Sequence, residues 1–165
     1  IENLIIILED NNIFNIKFGI KKKNYNSSIT KQNLENLLIE AKDLFRENYQ
    51  DQKIMHMTIS KYFFDDQSFR SFKENLKCDH ISLEIQFISI SSSIIYDLDK
   101  ILEKYQIKIS RYLDKNYLKN IFHDDKELSV MSHKILNGYN NSEVIFKPKN
   151  IKKLSFFEKF FQLFS

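Results

Sequence analysis

Apolar and polar positions along this chain follow two periods, and the switches between them mark the expected elements. Residues 3–8 form a nearly continuous apolar run, the pattern of a buried strand. Asp10-Asn11-Asn12 supplies turn chemistry. Phe14, Ile16, Phe18 and Ile20 then recur at every second position, which predicts a half-buried strand over residues 13–20. Residues 21–28, opening with Lys21-Lys22-Lys23-Asn24, read as a polar loop. From Thr30 the period lengthens to that of a helix. Leu34, Leu37, Leu38, Ala41, Leu44 and Phe45 share one face, Thr30 is the N-cap, and the helix ends near Asn48.

Residues 54–64 predict a second β region, and residues 65–78 a long connection with Phe69, Phe72 and Leu76 tucked inward. Ile81, Leu83, Ile85 and Phe87 alternate with Ser82, Glu84 and Gln86, the clearest strand signal in the chain. Ser91-Ser92-Ser93 caps a second helix, whose Ile94, Ile95, Leu98, Ile101, Leu102 and Tyr105 read as a core face. Residues 107–113 predict a last strand. The order ββαββαβ implies an α+β domain with two helices packed on a small mixed sheet, over residues 1–113.

The pattern then weakens, so residues 114–150 read as an irregular extension and linker. A short helix over residues 126–136 would end at Asn137-Gly138, and residues 142–147 would be extended. Pro148 separates this stretch from the terminus. Residues 151–165 predict an amphipathic helix: Phe156, Phe157, Phe160, Phe161 and Phe164 fall on one stripe, with Leu163 at its margin. Ser155 and Glu158 form a capping box. Lys147, Lys149, Lys152 and Lys153 precede the stripe and Lys159 lies within it. Such a helix needs an apolar partner, either a protein core or a lipid headgroup layer.

Composition narrows the function classes. A hydrophobic content of 42% permits a real core, and a formal charge of only +3 without a long basic block argues against nucleic acid. Two glycines in the whole chain argue against a phosphate-cradling loop, so no nucleotide is expected. The single Cys78 cannot form an internal disulfide and suits a reducing compartment. No apolar run reaches membrane-spanning length, and no signal peptide is evident. His56, His80, His123, His133 and Cys78 lack the paired spacing of a metal site. Asp65-Asp66 and Asp124-Asp125 read as solvated turn acids. No catalytic, cofactor or metal residues are therefore assigned.

Several segments nevertheless carry a joint spacing. Ile29-Thr30-Lys31-Gln32-Asn33-Leu34-Glu35-Asn36-Leu37-Leu38, followed by Ala41-Lys42, is similar to a "VTxxDVENVVxxAK" helix motif. His56, Tyr62 and Asp65 fall at the spacing of "LHVIPxxYxxD", and Leu76 with the strand that follows resembles "GLxGxRLxxxxHIIT". These are motifs of the bacterial cell-division FtsA family, and the likeness covers residues 1 to about 113. It is to the α+β subdomain inserted in that family's actin-like fold, and the family also ends in an amphipathic membrane helix. Ile59 stands where the family usually has Pro, Cys78 where it has Gly, and Gln86 where it often has His. The family's glycine-rich "DIGGGT" phosphate loop has no counterpart here.

The resemblance implies a non-enzymatic divisome interaction module without cofactors, making contacts with division proteins or with its own kind. It would sit peripherally on the cytoplasmic side of the cell membrane. Phe156, Phe157, Phe160, Phe161, Leu163 and Phe164 would enter the anionic inner-membrane lipids, with Lys152, Lys153 and Lys159 near the headgroups. The alternatives are the interaction domain of an actin-like pilus-assembly relative, or a small ligand-binding or enzymatic domain with the terminal helix as a lid.

Overall fold

The structure, a computed structural model, describes residues 4–145. The chain is a mixed α+β protein, with ten elements in the order ββαβββαβαα. They comprise β1 (Leu4–Leu8), β2 (Phe14–Ser28), α1 (Lys31–Asn48), β3 (Gln52–Phe64), β4 (Gln67–Phe69) and β5 (Lys77–Ser91). The chain continues through α2 (Ser92–Glu103), β6 (Ile109–Asp114), α3 (Lys115–Ile121) and α4 (Leu128–Leu136). Two compact units emerge from it. Among the described residues, one comprises 4–16, Gln50–His56 and Phe87–Asn140; the other comprises Lys17–Tyr49, Met57–Gln86 and 141–145.

The second unit holds most of a four-stranded sheet of order β2-β5-β3-β4. Helix α1 starts where its local chemistry dictates. The Thr30 hydroxyl accepts from the Asn33 backbone N–H, and the Asn33 side chain accepts from Thr30 N–H at 2.7 Å. This reciprocal capping satisfies two donors that a helix start leaves open. The helix buries Leu34, Leu37, Leu38, Ala41 and Phe45, whereas Leu44, expected on the same face, is 41% exposed. β3 and β4 form a hairpin with Tyr62 opposite Phe69, turned at Asp65, whose φ of 54° places it in the left-handed region. Phe64 packs against the rings of Phe69 and Phe72, so those two tuck inward as expected. Leu76 does not; it is 38% exposed. Residues 142–144 run along β3, with Ile59 N–H donating to Ser142 O and Val144 N–H to Met57 O, each at 2.8 Å. Of the segment expected to be extended, Glu143 forms one isolated bridge with Thr58, while Ser142 is in a turn.

The stretch expected to be a polar loop, residues 21–28, is instead the second half of β2. A strand at the edge of a sheet can be polar, because hydrogen bonding to one neighbour suffices and both faces can meet water. Asn24 anchors this half, its Nδ2 donating to Ser27 O at 2.6 Å and Cys78 O at 3.2 Å.

The first unit contains a separate two-stranded sheet in which β1 pairs in parallel with β6. The expected single sheet is therefore corrected to two, since alternation specifies which face is buried but not which strand is the neighbour. Ile88, Ile90, Ile95, Leu113, Leu118, Met131 and Ile135 are the buried centre of this unit, with Ile5, Ile6, Ile7 and Leu8 packed against it. The region expected to be irregular after Asp114 supplies α3 and α4, and α4 ends at Asn137 with Gly138 at φ 74°, as its sequence implied. The apolar face of α2 is less buried than expected. Ile95 is enclosed and Ile101 is 52% exposed, while Tyr105, expected on the same face, lies past the helix end at Glu103 and is 72% exposed.

Two buried tyrosines give the fold an alkaline limit. Burial holds the Tyr62 hydroxyl above the ordinary value of 10.0, and no partner for it lies among the described residues. Tyr112 is raised by burial first and then by Asp99, whose carboxylate accepts its hydroxyl at 2.6 Å. Above the ordinary tyrosine value an unfolded chain loses these protons while the folded one keeps them, so stability falls as pH rises. Thermal melts between neutrality and strong alkali should show this fall, less steep in Tyr62→Phe. At neutral pH the same variant should be more stable by about 1 kcal/mol, because it removes an unsatisfied buried hydroxyl.

Candidate functional site

Phe156, Phe157, Phe160, Phe161, Leu163, Phe164, Lys152, Lys153 and Lys159 all lie outside the described residues. Within the described residues, polar chemistry gathers at two places, one in each unit.

In the first unit, His56 is 1% exposed and its Nε2 accepts the Asp114 backbone N–H at 2.9 Å. A neutral imidazole that accepts at Nε2 carries its proton on Nδ1. The Asp114 carboxylate turns the other way and caps α3, accepting from Asn116 N–H at 3.1 Å and Tyr117 N–H at 3.0 Å. The Tyr117 ring lies against the imidazole, with centroids 4.0 Å apart, and its hydroxyl accepts from Asn140 Nδ2 at 2.7 Å. Each oxygen of the carboxylate thus serves a helix start, and the imidazole nitrogen serves a strand end. The arrangement is a tie between β3, the β6–α3 junction and Asn140. A sequence signal for it existed, since Asp114 three residues before Tyr117 is an N-cap at a strand end.

In the second unit, Cys78 is buried beside Asn24, whose Nδ2 lies 3.8 Å from its Sγ. Burial pushes the thiol above its ordinary value, and the Asp65 charge raises it further. A thiol held protonated is a poor nucleophile. Asp65 Oδ1 accepts from both Asp79 N–H and His80 N–H at 2.9 Å, with His80 Nδ1 at 4.0 Å. Asp65, in the β3–β4 turn, thus ties that turn to β5 rather than being a merely solvated acid. Among the described residues no three His, Cys, Asp or Glu side chains are grouped to hold a metal ion.

Two shallow depressions lie on the second unit. One, of about 340 Å³, is lined by Lys17, Phe18, Gly19, Phe63, Ser82, Leu83 and Glu84 on the sheet. A Cβ at Gly19 would meet only Leu83 O, at 3.8 Å, an ordinary contact. The other, of about 290 Å³, follows α1 past Asn36, Ile39, Glu40, Asp43, Leu44 and Glu47. Neither is lined by His56, Cys78 or His80.

Comparison with protein-family models finds no match, and comparison with the curated proteins finds none. Among the described residues no helix is long and apolar enough to cross a membrane.

The state of Cys78 is directly measurable. Iodoacetamide at neutral pH should leave the folded protein unmodified over a period in which the urea-unfolded protein is fully alkylated, read by intact mass. Asp114→Ala should cost about 1–2 kcal/mol in urea melts through loss of the α3 cap.

Proposed function

We propose that this protein is an FtsA-like interaction module held peripherally at the cytoplasmic face of a membrane by its C-terminal segment. The observation that carries the reading is the stripe Phe156, Phe157, Phe160, Phe161 and Phe164, flanked by Lys152, Lys153 and Lys159. Laid on a bilayer, this pattern puts aromatic rings among the acyl chains and ammonium groups among the phosphates. A fully buried phenylalanine contributes about 1.5–3 kcal/mol, an interfacial one less, and each lysine near an anionic surface about 1 kcal/mol. The sum supports reversible attachment, strengthened when several copies act together.

The likeness to the FtsA insert supports the interaction half of the reading. The family's helix motif falls on residues 29–42, and α1 begins beside Thr30 at Lys31. Its strand motif, from His56 to Tyr62, falls on β3 and ends in the Asp65 turn. The module would act by contacts with division proteins or with its own kind rather than by catalysis. The polar groups of the two clusters are engaged in holding turns and helix starts, which accords with that role.

Co-sedimentation with vesicles tests the anchor. The intact chain should pellet with phosphatidylglycerol-containing vesicles and far less with phosphatidylcholine alone. Phe160→Asp combined with Phe161→Asp should remain in the supernatant with an unchanged melting temperature. Equal pelleting of the double variant would sink the anchor. So would strong exchange protection of the Phe160 and Phe161 amides in lipid-free solution, which belongs to a helix packed as a lid.

A further inference from the structure

Among the outer strands of the two sheets, β2 and β1 differ in the chemistry of their edges. β2 is an outer strand of the four-stranded sheet and carries Lys17, Lys21, Lys22 and Lys23. Lysines on an edge deter another chain from pairing with it. β1 has no such guard. Its five residues, Leu4-Ile5-Ile6-Ile7-Leu8, are all apolar and all partly exposed, and among the described residues its only neighbour is β6. An isolated parallel pair is unusual, since parallel strands are ordinarily flanked on both sides.

The direction of the open hydrogen-bonding groups follows from two contacts. Leu4 N–H donates to Lys108 O at 3.0 Å, so Leu4 faces β6. Asp114, paired with Leu8, turns its own N–H away from β1 to His56 Nε2. In a parallel ladder the partner of such a residue faces inward. Leu4, Ile6 and Leu8 therefore direct their backbone groups to β6, and Ile5 and Ile7 direct theirs to the open edge.

We propose that β1 pairs antiparallel with β1 of a second copy of this chain, about a two-fold axis at Ile6, joining two β1–β6 pairs into one four-stranded sheet. The run is a palindrome, which makes it its own complement. Leu4 falls opposite Leu8 of the second copy, Ile5 opposite Ile7, and Ile6 opposite Ile6. The outward groups of Ile5 and Ile7 then form two hydrogen-bonded pairs, four bonds in all, with the Ile6 pair between them as a close non-hydrogen-bonded pair. No charge within the run opposes the contact. Strands this short bury less than the roughly 1,200 Å² of stable complexes, so association depends on high local concentration. The inference names a surface for the self-association side of the proposed function, yet requires no lipid and stands or falls apart from the anchor.

Cysteine cross-linking tests both the contact and its register. In a Cys78→Ala background, Ile6→Cys should form a disulfide-linked dimer on mild oxidation. Leu4→Cys alone and Leu8→Cys alone should not, whereas their mixture should. Sedimentation at millimolar protein should show the intact chain approaching twice the monomer mass. Ile7→Pro, which deletes an outward N–H and spares the β6 ladder, should stay monomeric with native circular dichroism. An intact chain that remains monomeric at that concentration and does not cross-link through Ile6→Cys overturns the proposal. Equal cross-linking at all three positions overturns the register, and with it the two-fold axis. If Ile7→Pro fails to fold, the cross-linking pattern decides alone.

Discussion

Burial of β5 is the constraint on which the rest of the structure depends. Ile81, Leu83, Ile85 and Phe87 are 0–1% exposed, and Ile88 and Ile90 continue at 3% or less. A strand this apolar is stable only between neighbours that bond its backbone along both edges, and β2 and β3 fill those places. Its first part belongs to the second unit and its last part, Phe87–Ser91, to the first. The same strand therefore supplies core residues to two units. Its end at Ser91 becomes the N-cap of α2, where Ser93 N–H donates to the Ser91 hydroxyl.

How legible this was in the sequence depended on whether the determinant was local. The Thr30–Asn33 box, the alternation of residues 81–87, and Gly138 at the end of α4 are contained within a few positions, and each was readable. What escaped depended on partners distant in the chain. Residues 21–28 look like a loop because their polarity is that of an edge strand, and only β5 alongside makes them one. Ile101 lies on the apolar stripe of α2, yet periodicity reports a face and not how wide a surface exists to cover it. Among the candidate chemistry, the partner of His56 was beyond reach of spacing alone. The tie from His56 to Asp114 joins residues 58 positions apart.

The two polar clusters also separate rigidity from reactivity. His56, Asp114 and Tyr117 are nearly inaccessible, and their side chains hydrogen-bond backbone N–H groups and the Asn140 amide. Cys78 is held as a neutral thiol by its surroundings. Groups often read as catalytic by type serve here to fix a turn, a helix start and a strand junction. That assignment moves attention from clefts to surfaces and edges.

The parallel pairing of β1 with β6 has a consequence for how the chain is made. Leu4 and Ser110, which share a hydrogen bond, are separated by 106 positions. On a ribosome that adds about 5–20 residues per second, the Leu4–Leu8 segment emerges many seconds before its native partner exists. Contacts so far apart also carry the entropy of closing a long loop, which slows their formation after release. Throughout that interval the most apolar strand end of the protein has nothing to pair with. The place of β6 in the chain therefore sets how long β1 waits for its native partner during synthesis.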